Sequence, residues 1–370
     1  MILILGAGFG GLEVAAQLSE AGATDVVVLD AADGFTFGFS KLEVLLGRAT
    51  PGDVRLPYAD VALPGVELRQ EVVTSIDPST RRVVTDRATY VPDVLVVALG
   101  AEYEPGATPG FVEGGFEFYT PEGAERLHHR LEGFTGGDLV IAILSVPFKC
   151  PPAPYEAAFL IHERLVAQGV RDATRMELIT PMPAPIPPSP STNEVILRGF
   201  EERGIAWTSG RRVSSLDPAN RVAHLKDEER RYDLFVGIPT HRAPAVVTAS
   251  GLTEGGADGW VKVDPHTLRT PYDGVWALGD CADAPVPRAG VFALSAATVV
   301  ADGILGRDGA TYEGTGVCYL EMGGGLVGKV NANFLGGPTP VAPLEGPAAE
   351  LLAEKAAWAA HYRQRWFGRR

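Results

Sequence analysis

Residues 2–18, with the sequence ILILGAGFGGLEVAAQL, decide the fold class. The apolar run Ile2–Leu5 is typical of a buried strand, and the apolar spacing after it indicates a helix that ends near Glu20. A glycine turn of the form GxGxxG lies between them, and a second apolar strand is predicted at Val26–Leu29. This order of strand, glycine turn, helix and strand predicts a βαβ unit in a parallel sheet.

The glycine turn predicts a dinucleotide site. Its glycines let the backbone approach a pyrophosphate, whose charge then lies at the positive end of the helix. Asp30 ends the second strand, where its carboxylate can accept hydrogen bonds from a ribose. The residues predicted to contact the cofactor here are Gly6, Gly8, Phe9, Gly10, Gly11, Asp30 and Ala31.

Two later segments resemble the remaining motifs of flavoproteins with two dinucleotide-binding domains. An apolar strand at Val94–Ala98 leads to Gly100, and the segment Gly274–Leu278 leads to Gly279 and Asp280. The resemblance implies FAD as cofactor, with Asp280 hydrogen-bonded to the ribityl chain. The further predicted cofactor contacts are Ala98, Gly100, Gly279, Asp280, Gly290 and Val291.

The helix predicted from Gly290 to Ile304 supplies the last two of these contacts. By the same resemblance, its N-terminal amides at Gly290 and Val291 point at the C2 carbonyl of the flavin. A helix N-terminus stabilises negative charge on the reduced ring. An ordinary core helix is compatible with the same sequence, and the two interpretations do not conflict.

The pattern along the chain predicts an α/β protein with two Rossmann-like domains. The expected parts are an FAD-binding domain at 1–105 and 240–320, an inserted Rossmann-like domain at 106–239 and a C-terminal interface segment at 321–370. Strands are predicted in the inserted domain at Leu139–Leu144 and Glu177–Thr180. Six prolines between residues 181 and 190 predict an extended loop after the second of them.

The inserted domain lacks the glycine motif that a nicotinamide cofactor needs. Its first strand is followed at residues 145–154 by SVPFKCPPAP, which contains no glycine. Side chains and proline rings fill the space of a pyrophosphate, and the prolines remove amide donors. Nicotinamide binding is therefore disfavoured.

Cys150 stands where that motif would be. It lies just before a helix predicted to begin at Pro154, and Lys149 precedes it. Helix N-termini and neighbouring cations lower the pKa of a thiol and favour the nucleophilic thiolate. The sequence therefore predicts a reactive cysteine with Lys149 as an activating cation.

Two motifs resemble sulfide:quinone oxidoreductases and the flavoprotein subunit of flavocytochrome c sulfide dehydrogenase. They are KCPPAPYE at residues 149–156 and YEGTGVCYLE at residues 312–321, and the resemblance covers nearly the whole chain. It implies that Cys150 and Cys318 form a redox-active pair beside the flavin. Residues 36–43, TFGFSKLE, contain no cysteine where flavocytochrome-type subunits attach FAD, so the FAD is expected to be non-covalent.

The resemblance also implies a reaction. Hydrosulfide, or a small thiol, attacks a disulfide between Cys150 and Cys318, and two electrons pass through FAD to a quinone in a pocket lined by tail aromatics such as Phe334. Glu156 matches the acid–base glutamate of the family. A carboxylate that only stabilises the helix N-terminus is the alternative interpretation of Glu156, and both stay open at this point.

Composition and charge exclude other classes of protein. The net charge of −14 and the pI of about 5.0 argue against a nucleic-acid partner. Three cysteines are too few for a disulfide scaffold, and Cys281, next to Asp280, is expected to be a small packing residue. The adjacent His128 and His129 are expected on a solvated helix face, and no metal site is predicted.

The chain is expected to be cytoplasmic, because the first strand begins directly after Met1 and leaves no room for a signal sequence. A C-terminal helix predicted from Pro347 to Phe367 carries an apolar stripe that we expect to pack on the body of the protein; its residues are Leu351, Trp358, Tyr362 and Trp366. Peripheral contact of this helix with the inner face of a membrane is the alternative, supported by four arginines, namely Arg363, Arg365, Arg369 and Arg370.

Two other functions share this plan. One is a type II NADH dehydrogenase that reduces quinone, and the other is a flavoprotein subunit that docks to a cytochrome. The sequence does not identify the sulfur substrate, the acceptor or the oligomeric state, and it is compatible with a homo-oligomer. Reduction of the flavin by sulfide or by NADH distinguishes the first alternative from the leading hypothesis.

Overall fold

The computed structural model describes residues 1–256, 259–307 and 309–368. The helices are α1 Phe9–Glu20, α2 Ser40–Leu45, α3 Phe111–Gly114, α4 Pro121–Glu132, α5 Ala153–Ala167, α6 Pro190–Glu202, α7 Ala245–Ala249, α8 Gly290–Ile304 and α9 Glu350–Phe367. The first strands are β1 Ile2–Leu5, β2 Val26–Asp30, β3 Gly34–Thr36, β4 Arg55–Pro57, β5 Val66–Gln70, β6 Val73–Asp77, β7 Arg82–Thr85, β8 Thr89–Tyr90, β9 Val94–Val97, β10 Glu102–Glu104 and β11 Gly137–Ile143. The later strands are β12 Thr174–Ile179, β13 Ile205–Thr208, β14 Ser215–Asp217, β15 Val222–His224, β16 Glu229–Arg231, β17 Leu234–Ile238, β18 Thr240–Arg242, β19 Val275–Ala277, β20 Thr315–Glu321, β21 Val327–Asn333 and β22 Leu344–Ala348.

The first domain is built on a five-stranded parallel sheet in the order β19-β9-β1-β2-β5. Its central strand β1 is buried at Leu3, Ile4 and Leu5, as expected for a strand covered on both faces. Helices α1 and α8 pack against each other in this domain. Glycine is required at residue 11, because a Cβ there would collide with the carbonyl oxygen of Gly6.

The second domain repeats the parallel α/β plan. Its four-stranded sheet has the order β13-β12-β11-β17, and its core includes Ile141, Phe159 and Val236. The proline-rich segment lies between β12 and α6 without regular structure, as predicted. The two sheets confirm the predicted fold class of two Rossmann-like domains.

Two chain crossings join the domains. Strand β10 runs out of the first domain, β18 runs back, and the two pair antiparallel with Tyr103 opposite His241. An ion pair between Glu104 and Arg242 joins the same two strands. The paired strands β10 and β18 therefore hold the two domains together.

The C-terminal segment differs from the prediction in two places. Cys318 lies in a strand that the sequence pattern does not indicate, β20, which pairs with β21 and β22 in a three-stranded antiparallel sheet. The predicted domain boundary between residues 320 and 321 therefore falls inside a strand. The last helix begins at Glu350 and not at Pro347, because Pro347 belongs to edge strand β22, where a missing amide donor is tolerated.

Helix α9 packs on the body of the first domain, as the sequence predicts. Trp366 is completely buried, its ring lies 5.4 Å from that of Phe35, and its indole nitrogen donates to Glu13 at 3.0 Å. Arg365 forms ion pairs with Glu13 and Glu20. Arg365, one of the four arginines that support membrane contact, thus forms ion pairs within the protein. Arg369 and Arg370, two others of the four, lie outside the described residues. Among the described residues, no helix combines the length and apolarity that crossing a membrane requires.

Replacing Trp366 with alanine should lower the free energy of unfolding by about 3–5 kcal/mol, because it removes a fully buried aromatic side chain. Leu352→Ala is the matched control on the same helix; Leu352 is 42% exposed and should cost about 0.5 kcal/mol or less. Chemical denaturation of both variants measures the difference. Equal effects of the two substitutions would contradict the docking of α9.

Candidate functional site

One cleft of about 510 Å³ brings the predicted cofactor motifs together. It opens where the C-terminal ends of β1, β2 and β9 meet the start of α1, as the switch point of a doubly wound sheet requires. The predicted residues that line it are Gly6, Gly8, Phe9, Gly10, Asp30, Ala31, Ala98, Gly100, Gly279, Asp280 and Gly290. Gly11 and Val291 do not line the cleft: Gly11 packs against Gly6, and Val291 packs in an apolar cluster near Cys318.

The glycine turn is fixed by Asp30. One carboxylate oxygen of Asp30 accepts from the amide of Ala7 at 2.7 Å, and the other accepts from the amide of Ala32 at 2.8 Å. The hydroxyl of Tyr58 donates to the carbonyl of Ala7 at 2.9 Å. Burial raises the pKa of Asp30, and the two amides oppose that rise. Asp30 thus shapes the turn and still borders the cleft, where the sequence predicts a ribose contact.

The cleft fits a flavin dinucleotide. Helices α1 and α8 both begin at its wall without a side-chain cap, so their first amides remain for a ligand. A Cβ built at Gly8 or Gly100 would meet open space, which leaves room for close approach of a ligand to the backbone. Asp280 borders the same cleft; burial raises its pKa, and the cations Lys149, Arg288 and Lys41 oppose that rise.

Cys150 lies in the wall of this cleft, three residues before α5. Its backbone has φ of +53°, which is uncommon for a residue with a side chain. The amide of Cys150 donates to the carbonyl of Arg288 at 2.7 Å, and the carbonyl of Cys150 accepts from Ala153 at 2.9 Å. These bonds hold the cysteine between the two domains in one defined orientation.

The thiol of Cys150 does not have the lowered pKa that the sequence predicts. Burial raises its pKa, Glu156 and Cys318 raise it further, and Lys355 is the cation that opposes them. The prediction is wrong for the dithiol in this structure, because desolvation and a nearby carboxylate outweigh the helix N-terminus. Lys149 is not the activating cation either: its ammonium donates to the carbonyl of Ala101 at 3.2 Å and faces the ring of Tyr103.

Cys318 lies on strand β20 of the C-terminal sheet. It is half-buried, lies opposite Val330 on β21 and packs in a cluster with Phe292 and Phe334. Burial raises the pKa of Cys318 to about 12, and Glu156 contributes to the same rise. All three cysteines are free thiols in the structure. One carboxylate, that of Glu156, therefore acts electrostatically on both Cys150 and Cys318.

Glu156 is buried, with 2% of its surface exposed. Burial raises its pKa to about 7, while Lys355 and the amide of Glu321 oppose the rise. The amide of Glu321 donates to Glu156 at 3.0 Å, and the ammonium of Lys355 lies 3.9 Å from the same carboxylate. A carboxyl group that titrates near neutral pH beside two thiols has the properties of a general acid–base group.

Sequence reasoning missed Lys355 and Glu321. Lys355 is 5% exposed, and its ammonium also contacts the carboxylate of Glu321 at 2.5 Å and lies 4.9 Å from the ring of Phe39. A signal was present, because Lys355 follows Leu351 by four residues and precedes Trp358 by three. A single lysine within the apolar stripe of a helix that packs on the protein indicates a buried charge with a partner.

Two minor predictions also have an outcome. Cys281 is completely buried, and its thiol donates to the carbonyls of Val97 and Leu278, so its interpretation as a packing residue is confirmed. His128, His129 and Glu132 place ligand atoms within 4.8 Å of one another. His129 is exposed, as predicted for a solvated helix face, whereas His128 is half-buried and its Nδ1 lies 2.7 Å from a guanidinium nitrogen of Arg164.

The inserted domain has no dinucleotide cradle in its described residues. The turn after β11 carries side chains where the first domain has glycines, and α5 begins with Ala153 and Pro154. Tyr155 in the first turn of α5 is fully buried, and its hydroxyl donates to the carbonyl of Pro185 at 2.9 Å. The proline-rich loop is thus held over the start of α5, where a second cofactor would lie in a two-cofactor enzyme.

Comparisons with known proteins find relatives by sequence and a solved structure with a similar fold. A family model described as pyridine nucleotide-disulphide oxidoreductase matches residues 1–144. The mitochondrial sulfide:quinone oxidoreductase of Dictyostelium discoideum is 25% identical over 322 residues, which are 82% of this chain and 70% of that protein. An NADH dehydrogenase-like protein of Mycobacterium tuberculosis is 36% identical over 155 residues, which are 39% of this chain and 38% of that protein. The solved structure of the sulfide:quinone oxidoreductase of Aquifex aeolicus has a TM-score of 0.85 at 21% identity and covers 98% of this chain and 91% of that chain.

The cleft and the two parallel sheets define a flavoprotein oxidoreductase with two Rossmann-like domains. The chain is similar to sulfide:quinone oxidoreductases in sequence over most of its length and in fold, which agrees with the resemblance that its two cysteine motifs carry. The likeness to the solved structure shows the shared fold, and the predicted fold class is confirmed over nearly the whole chain.

Proposed function

We propose that this protein is an FAD-dependent oxidoreductase that oxidises sulfide, or a small thiol, and passes two electrons to a quinone. One observation carries the proposal: Cys150 borders the cleft of the flavin motifs, and a single buried glutamate, Glu156, acts on both Cys150 and Cys318. A pair of thiols with a shared acid–base group is what reversible disulfide chemistry beside a flavin needs.

The FAD would be held without a covalent bond. The glycine turn and the start of α1 would receive the pyrophosphate, Asp30 a ribose, and Asp280 the ribityl chain. Residues 36–43 offer no cysteine for attachment. When bound, the flavin accepts the two electrons that the sulfur chemistry releases and makes them available to the quinone.

The cysteines carry the sulfur chemistry in this proposal. Hydrosulfide attacks one sulfur of a Cys150–Cys318 disulfide, so a new sulfur–sulfur bond forms on that cysteine while the old one breaks and leaves a thiolate on the other. The sulfide sulfur is oxidised, and the electron pair stays on the leaving thiolate. Cys150 is held by its bonds to Arg288 and Ala153, which keep its sulfur at the cleft during this exchange.

Glu156 and Lys355 handle protons. The pKa of Glu156, raised to about 7 by burial, lets it take a proton from an attacking thiol and return it at neutral pH. The ammonium of Lys355 lies 3.9 Å from Glu156 and 4.9 Å from the ring of Phe39, which lines the cleft. Phe39, Trp358 and Lys355 are therefore the groups we assign to the quinone, with Lys355 as proton donor.

The earlier expectation for Phe334 changes accordingly. Phe334 packs edge-on against Phe292 at 5.4 Å in the cluster that holds Cys318, and it does not line the flavin cleft. Phe39 does line the cleft, and its ring lies 6.1 Å from that of Trp358. The aromatic side of an acceptor site is thus better provided by these two rings.

Anaerobic titration of the purified protein tests the proposal. Sulfide should bleach the flavin absorbance at one equivalent, and a soluble quinone should restore it. NADH should reduce the flavin slowly, because the inserted domain lacks a glycine motif. Fast bleaching by NADH without bleaching by sulfide would instead support a type II NADH dehydrogenase, and sulfide reduction that no quinone reverses would support a subunit that docks to a cytochrome.

The Glu156→Gln variant should change the pH profile of flavin reduction. Glu156 accepts a proton only as a carboxylate, so the wild-type rate should rise as pH increases through about 7. The ionisation of sulfide affects both proteins equally, and the ratio of wild-type to variant rates isolates Glu156. We expect this ratio to grow by about tenfold between pH 6 and pH 8 in stopped-flow measurements. A ratio that is independent of pH would assign Glu156 to helix stabilisation alone.

A further inference from the structure

Lys149 occupies a fixed place in the flavin cleft that the thiol chemistry does not use. It is half-buried and lines the cleft beside Cys150. Its ammonium donates to the carbonyl of Ala101 at 3.2 Å and stands 4.3 Å from the ring centroid of Tyr103. The hydroxyl of Tyr119 donates to the backbone carbonyl of Lys149 at 2.9 Å. The backbone carbonyl and the ammonium of Lys149 are therefore both held in place, the first by Tyr119 and the second by Ala101 and Tyr103.

The groups around Lys149 keep it charged. Burial acts to lower its pKa, but Tyr103 and the carboxylate of Asp280 outweigh that effect, and the net pKa is raised. The neighbouring His241 is neutral, because burial and then the charge of Lys149 lower its pKa to about 3. At neutral pH the lysine is thus an ammonium beside an uncharged imidazole.

The contacts of this ammonium leave its charge available to a ligand. A carbonyl oxygen and an aromatic face bind it directly, whereas the carboxylate of Asp280 acts on it only as a nearby charge. A cation held by neutral groups in a low-dielectric wall attracts negative charge in the cleft more strongly than one in a contact ion pair. The ligand with a variable negative charge in this cleft is the flavin, whose ring gains charge on reduction.

We propose that Lys149 is an electrostatic determinant of the flavin redox potential: its positive charge stabilises the reduced, anionic ring relative to the oxidised ring. This inference rests on flavin binding in the proposed function. It replaces the role of thiol activation that the sequence suggested for Lys149, and it gives the lysine a role independent of the sulfur substrate.

Sulfite affinity and midpoint potential test this role without sulfide turnover. Sulfite donates a lone pair to the oxidised flavin ring, nothing leaves, and the negative charge passes to the ring, so the affinity reports local positive charge. In Lys149→Met we expect sulfite to bind about tenfold more weakly. A tenfold loss in the stability of the two-electron reduced form corresponds to a midpoint potential lower by about 30 mV.

Two further variants control the measurement. Lys149→Arg keeps the charge and should remain close to the wild type in both quantities, which also separates charge from folding defects. Lys226→Met removes an exposed lysine of the inserted domain and should leave both quantities unchanged. Flavin absorbance and thermal unfolding of each purified variant establish that the comparison is made on folded, loaded protein.

The outcomes distinguish this inference from the proposed function. Unchanged sulfite affinity and midpoint potential in flavin-loaded Lys149→Met would overturn the inference. Loss of flavin from that variant would also overturn it, because the lysine would then be needed to bind the oxidised flavin and not to favour the reduced form. A wild-type protein without flavin would overturn both proposals. The expected shifts in a protein that sulfide fails to reduce would support the role of Lys149 and reject the sulfide reaction.

Discussion

Cys150→Ser and Cys318→Ser should each abolish the reduction of bound flavin by sulfide, with rate constants lower by about a thousandfold or more. A serine oxygen cannot form the disulfide that hydrosulfide attacks, so either substitution removes the whole exchange reaction and not a fraction of it. Anaerobic stopped-flow measurement of flavin absorbance, with excess sulfide, gives the rate constants directly.

Cys281→Ser is the matched control for these variants. The buried thiol of Cys281 donates to the carbonyls of Val97 and Leu278, and a serine hydroxyl can donate to the same acceptors. This variant should be reduced by sulfide like the wild type. Normal reduction in Cys150→Ser or in Cys318→Ser would remove that cysteine from the mechanism, and loss of reduction in all three would point to a general defect of the protein.

Gly11→Ala and Gly8→Ala should fail in different ways. A Cβ at residue 11 would collide with the backbone carbonyl of Gly6, so Gly11→Ala should lower the free energy of unfolding by about 3 kcal/mol even without flavin. A Cβ at residue 8 meets open space in the protein, and Gly8→Ala should change the stability of the flavin-free protein by about 1 kcal/mol or less.

The main effect of Gly8→Ala should instead be a loss of flavin affinity. In the proposed flavin complex the pyrophosphate occupies the space in front of Gly8, so a methyl group there should weaken flavin binding by at least about a hundredfold. Denaturation of the flavin-free proteins and flavin fluorescence titration measure the two quantities separately. A Gly8→Ala protein that keeps its flavin affinity would contradict the assignment of the glycine turn to the pyrophosphate.

The two cysteine motifs and the glycine turn show which features a sequence can predict. The turn at Gly6–Gly11 lies within one βαβ unit, and its residue types follow from local backbone geometry. Cys150 could be placed before a helix for the same reason, because prolines and a helical pattern follow it directly. The helix after the glycine turn, the helix after Cys150, and the first parallel strands were predictable at this level.

The chemistry of the site was less predictable, because it depends on contacts between distant segments. Glu156 accepts from the amide of Glu321, 165 residues further along the chain, and meets Lys355 of the last helix. Burial of these groups together raises the pKa of Glu156 and of both thiols. Neighbours in sequence suggested a lowered pKa for Cys150, whereas its neighbours in space raise it.

The sequence by itself indicated the two parallel α/β domains and the first glycine turn, since these depend on local periodicity and on residue types required at turns. The later flavin motifs and the pairing of Cys150 with Cys318 were implied by resemblance to a known family. Only the tertiary structure decided that Lys149 faces Tyr103 and not the thiol, that Lys355 meets Glu156, and that Phe39 and not Phe334 lines the cleft. Charge interactions and desolvation depend on distances through space and on burial, which no single segment of the chain fixes.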